Sequence, residues 1–87
     1  MHEAGVTERI LEVVSERATE ARALRVTDVH LEVGEESGID TTSIELHWPL
    51  LSKGSVADGA RLHFDEAASP FTFRLTSIEV DEAGETD

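Results

Sequence analysis

The residues of this chain best suited to chemistry by type and spacing are the first three, Met1-His2-Glu3. A terminal amine, the next amide nitrogen and the imidazole of the second residue can close adjacent chelate rings on one ion. A nitrogen-rich, planar donor set of this kind suits Ni(II) or Cu(II), and imidazole is an accepted ligand for both. Glu3 could supply a further main-chain nitrogen, or its carboxylate could orient the ligands by hydrogen bonding. In an arbitrary protein, however, a histidine beside the terminus is ordinarily a solvated side chain on frayed backbone.

The other histidines are less pointed. His30 and His63 occupy outward positions of two alternating segments, near Glu32 and Asp65, and would meet across a sheet if those segments are neighbours. Outward strand positions are where solvated polar residues belong. His47 and Trp48, beside Pro49, read as a helix surface and a core anchor. There is no glycine-rich phosphate loop, no nucleophile elbow, no pair of histidines at metalloprotease spacing and no internal repeat. Scattered Ser, His and Asp residues without spacing do not make a triad, so the expectation is a protein that is not an enzyme.

Nineteen acidic residues against seven basic ones give a formal net charge of −12. Such a surface repels phosphates, so neither nucleic acid nor an anionic membrane is an expected partner; cations and basic protein surfaces are. The start of the chain lacks the basic and apolar runs of a secretory signal, and no segment approaches transmembrane length, which makes a cytoplasmic protein the simplest expectation. No cysteine is present. Neither a disulfide nor a thiolate zinc site can therefore staple a domain this small, no structural zinc is expected, and stability must come from a thin apolar core.

The elements that would carry these residues follow from periodicity. Val6, Ile10, Val13, Val14, Ala18 and Ala21 predict an amphipathic helix from Val6 to about Ala23, with Gly5 as its N-cap. Val29, Leu31 and Val33 alternate with Asp28, His30 and Glu32 in a half-buried strand ending at Gly34. Asp40 is a good N-cap for a second helix bearing Ile44, Trp48 and Leu51 on one face, in which Pro49 should force a kink or an early stop. Ala60, Leu62 and Phe64 alternate as a second strand. The last strand should run from Phe71 to about Val80, with a bulge near Thr76 and Ser77 where the apolar phase changes. This predicts an α+β fold in the order α-β-α-β-β, a small three-stranded mixed sheet covered on one face by two helices over residues 1–80, with 81–87 an acidic, disordered tail.

Read in order, Met1-His2-Glu3, Arg25-Val26-Thr27, Leu31-Glu32-Val33-Gly34-Glu35, Ser37-Gly38, the run Gly54-Ser55-Val56-Ala57-Asp58-Gly59-Ala60-Arg61-Leu62 and the closing Phe73-Arg74-Leu75-Thr76-Ser77-Ile78-Glu79-Val80 resemble the HypA hydrogenase and urease maturation family. The resemblance covers nearly the whole chain. It implies a nickel-binding domain with Ni(II) held through His2 and neighbouring main-chain nitrogens, Met1 and Glu3 completing the site. It also implies partners, a HypB-type maturation GTPase and a hydrogenase large-subunit precursor. Family members carry a zinc-binding module with paired Cys-x-x-Cys motifs between the last two strands. This chain has only Ala67 to Pro70 there, which is expected to leave a tight β-connection. The implied function is a nickel metallochaperone-like protein for [NiFe]-hydrogenase maturation; the alternative is a metal-free interaction module that docks on the GTPase or the enzyme precursor.

Overall fold

The computed structural model describes residues 3–82, with the side chains of residues 3 and 4 left aside. Helix α1 spans Glu3–Glu20 and strand β1 Ala23–Val33; helix α2 follows at Thr41–Ser52, then β2 at Arg61–Glu66 and β3 at Phe73–Glu82. This is the predicted α+β order. The sheet is mixed, in the order β2-β1-β3, with β2 parallel and β3 antiparallel to β1.

Val6, Ile10, Val14 and Ala18, each four residues apart, are buried along one stripe of α1 and meet Val26, Val29 and Leu31 of β1 and Ile44 and Trp48 of α2. Spacing of this kind keeps apolar side chains on one helix face, which is why the segment is helical in this context. Helix α1 lies earlier than its apolar pattern suggests. Gly5 sits inside the first turn and does not cap it, while Ala21 falls beyond the end, where Arg22 takes the left-handed conformation (φ 55°) and turns the chain into β1.

In α2, the Asp40 carboxylate caps the helix by accepting from the Ser43 amide at 3.3 Å. Ile44, Trp48 and Ser52 form its buried face, and the Trp48 indole N–H donates to the Ala60 carbonyl at 3.1 Å. The helix runs through Pro49 to Ser52 without the stop expected there. Burial of Trp48 and Ser52 on either side of the proline holds the last turn despite the missing Glu45 hydrogen bond.

Three register shifts interrupt the pairing of β1 with β3, one between Ala23 and Arg25 at the start of β1 and two that set the phase of the apolar face. Val26 pairs with Val80 and Asp28 with Glu79, so Thr27 is an extra residue that lets Val26 and Val29 both face the helices. Opposite His30 and Leu31, whose partners are Ser77 and Leu75, Thr76 bulges from β3, where the phase change in the sequence places a bulge. Phe71 lies outside β3 and is exposed. Asp81 and Glu82, assigned to the tail from their acidity, belong to the strand, where Asp81 accepts from the Arg25 guanidinium at 2.6 Å. Residues 83–87 lie outside the described part.

Strands β2 and β3 do not form a hairpin. They occupy opposite edges, and residues 67–72 cross the end of β1 between them. The crossing is stitched to β1 by Ala67 N–H to Val33 O (3.1 Å), Gly34 N–H to Thr72 O (2.6 Å) and Glu36 N–H to Pro70 O (2.6 Å). The tight connection expected from the sequence is thus a bridge over a buried glycine. A side chain at Gly34 would run into the carbonyls of Ser69 and Pro70.

Candidate functional site

Of the residues expected to hold a metal, Met1 and His2 lie outside the described part, and Glu3 opens α1. Glu3 therefore stands at the N-terminal end of α1, where unpaired amide groups and the helix dipole favour anionic groups. Helix α1 is fixed there by Val6 and Ile10 in the core. Next to this end, Gly5 and Val6 line an open groove of about 720 Å³ between α1 and β3, floored by Leu31 and Ile39.

The remaining polar chemistry lies on the sheet face away from the helices. His30 of β1 and His63 of β2 are in register, and their rings stack with centroids 4.5 Å apart and 12° between planes. The sequence anticipated that they would meet across the sheet. Their nitrogens are engaged elsewhere: Nε2 of His30 is 2.8 Å from the Glu79 carboxylate, and Nε2 of His63 is 2.7 Å from Asp28. In near-parallel stacked rings the in-plane lone pairs run side by side, so they do not converge on an ion about 2 Å from both. Among the described residues, no three His, Asp or Glu side chains are placed to share a metal ion. The pair is therefore built as a stacked, carboxylate-anchored strut.

Asp28 is the centre of that strut and is only 4% exposed. It accepts from His63, and from Arg61 through Nε at 3.0 Å. The His63 hydrogen bond, followed by one from Thr27, pulls its carboxyl from an ordinary 3.8 down to about 2, with burial opposing and Arg61 assisting. The same face carries Arg25 with Asp81 and Arg74 with Glu32. Reading the sequence identified the two histidines but not Glu79 and Asp28 as their partners, nor Arg61 as the second partner of Asp28, because partnership depends on strand register. His47, by contrast, is turned inward on its own helix, with Nδ1 2.7 Å from the Ser43 carbonyl.

Comparison with known proteins places this geometry. Residues 1–79 match the family model described as hydrogenase/urease nickel incorporation, metallochaperone, HypA. The hydrogenase maturation factor HypA of Dehalococcoides mccartyi is 35% identical over 75 residues, covering 86% of this chain and 63% of that protein. HypA of Escherichia coli K12 is 39% identical over 66 residues, covering 76% and 57%. The chain thus spans less than two thirds of the length of these curated relatives. Among solved structures, that of the Ni metallochaperone HypA from Helicobacter pylori superposes with a TM-score of 0.82 at 15% identity, covering 95% of this chain and all of the other. A second HypA solution structure gives 0.73 at 18% identity, covering 92% and 96%. The two structures share the fold and the two relatives share the sequence: this chain belongs to the HypA family of hydrogenase and urease nickel-incorporation metallochaperones.

Proposed function

We propose that this chain carries Ni(II) as cargo, without catalysing a reaction, and assists its insertion during maturation of a [NiFe]-hydrogenase in the cytoplasm. The observation that carries the reading is that the family match begins at residue 1 and so includes Met1-His2-Glu3. In this proposal the Met1 amine, the His2 amide nitrogen and the His2 imidazole form the chelate, and Glu3 supplies a further nitrogen or a supporting carboxylate. The partners proposed are a HypB-type GTPase and the hydrogenase large-subunit precursor. With no cysteine in the chain, nickel handling here would not rest on a thiolate zinc site of its own.

An α-amine has an ordinary pKa of roughly 8, so nickel must displace protons to bind it and affinity should rise with pH through neutrality. Isothermal titration with nickel tests the model. His2→Ala should abolish the high-affinity site, and one residue added before Met1 should nearly abolish it by moving the amine out of its ring. His30→Ala and His63→Ala should leave it intact. Tight binding by the extended protein would exclude the terminal chelate; failure of the unextended control to bind would exclude nickel carriage and favour a metal-free docking module.

A further inference from the structure

The groove beside α1 differs in charge from the rest of the molecule. The chain holds nineteen acidic residues, yet none lines this groove among the described residues, whereas Arg9 and Arg17 line its helix wall; Arg74 borders it from β3, with its side chain turned to Glu32 on the opposite sheet face. Between them lies apolar surface from both walls, Ile10 and Val13 on α1, Phe73 and Leu75 on β3. The groove exists because the helical layer is too narrow for the sheet. Under the helices Val26, Val29 and Leu31 of β1 are at most 1% exposed, while Phe73, Leu75, Ile78 and Val80 on the same face of β3 are only half-buried. The outer edge of β3 is also unpaired among the described strands.

We propose that this groove docks an acidic amphipathic segment of a partner protein, its apolar residues covering β3 beside α1 and its carboxylates meeting Arg9 and Arg17. Charge complementarity selects this occupant. Arg17 has no ion pair among the described residues, and Arg9 is held only by an exposed pair with Glu12, which a further carboxylate can share. Placement in the last turn of α1 explains Arg17 through the helix dipole, but not Arg9 two turns earlier on the same groove wall. Elsewhere the net charge of −12 repels an acidic segment, so the groove is where it can settle, and screening over about 8 Å lets the local arginines dominate at contact. A second copy of this chain is a poorer occupant, because it would bring a further −12 to the interface. Docking here would set the partner beside Gly5 and hence at the helix end that carries Met1-His2-Glu3.

The proposal does not depend on nickel binding, and its test uses the metal-free full chain. A synthetic peptide with leucines at helical spacing flanked by glutamates is titrated into ¹⁵N-labelled protein, beside the same peptide with lysines in place of glutamates. The expected result is chemical-shift change along the Val6 to Arg17 face and at Phe73 to Leu75, with the glutamate peptide at least tenfold tighter. Arg17→Glu should weaken the glutamate peptide tenfold or more and bind the lysine peptide better than the unsubstituted protein does, while Arg17→Gln, a milder change at an exposed position, should fall between. Equal binding of both peptides, or shifts centred on the exposed Leu46 and Leu50 of α2, would overturn the assignment. Groove shifts that grow with protein concentration before any peptide is added would also overturn it, by making a second copy the occupant.

Discussion

Replacing Gly34 with alanine should cost this domain about 2–3 kcal/mol, and the figure can be assembled from contacts. The added Cβ would lie 2.5 Å from the Ser69 carbonyl oxygen and nearer still to the Pro70 carbonyl, and all these atoms are backbone. They cannot swing aside as a flexible side chain would. The crossing at residues 67–72 must lift off the end of β1, and the overpacking carries a cost of about 1–3 kcal/mol. Lifting it strains the bonds from Gly34 N–H to Thr72 and from Glu36 N–H to Pro70, each worth about 1 kcal/mol. Against this, alanine reduces the freedom of the unfolded chain by about 0.4–1 kcal/mol. Urea unfolding followed by the single tryptophan, Trp48, which is buried and so reports loss of the core, is the assay. With an m-value of roughly 1 kcal/mol/M for a chain this small, the midpoint should fall by about 2–3 M. A change below about 0.5 M would show that the crossing yields freely and would refute the argument that it is clamped to Gly34.

Ser52→Ala should stabilise by about 1 kcal/mol in the same assay, because the Ser52 hydroxyl is buried without a hydrogen-bond partner among the described residues. Pro49→Ala should also raise the midpoint, by about 1 kcal/mol, since α2 is continuous there and would regain the Glu45 hydrogen bond; a loss would show that the proline's rigidity matters more. Asp28 has a folded pKa depressed to about 2, so between roughly pH 4 and pH 2 the unfolded chain binds more protons and stability should fall as acid is added. Asp28→Asn should flatten that part of the stability curve, which urea midpoints measured at half-unit pH steps would resolve.

Period-two alternation marked Val29 and Leu31 as the covered face of β1, with Val33 only half-buried at its end, and spacing by four placed Ile44 with Trp48; both hold because burial of one face dictates them. The bulge at Thr76 was legible for the same reason, since a strand with one buried face must shift phase somewhere between Leu75 and Ile78. Alternation states which face a residue takes but not which strand lies beside it. The opposite-edge placement of β2 and β3 was therefore hidden, and with it the role of Gly34. Acidity suggested a disordered end, yet Asp81 joins β3 because Arg25 stands across from it, a pairing that separation in sequence conceals. The site divides similarly. Met1-His2-Glu3 can be recognised as a motif because its members are adjacent, and His30 with His63 because both are outward. The groove joins Arg9 and Arg17 of α1 to Phe73 and Leu75 of β3, and only tertiary packing brings them together.

The placement of the two edge strands has a consequence for how this fold accommodates change. Each edge strand takes its register from β1 alone, so neither depends on the other for alignment. The ends that residues 67–72 join flank Val33, two strand spacings or roughly 10 Å apart. Lengthening the span between them adds only about 0.6 kcal/mol of closure entropy per doubling. The bridge is thus a natural port: material can enter or leave the chain at this point while the three strands keep their partners. In this chain the port is closed by three backbone hydrogen bonds and a glycine beneath them.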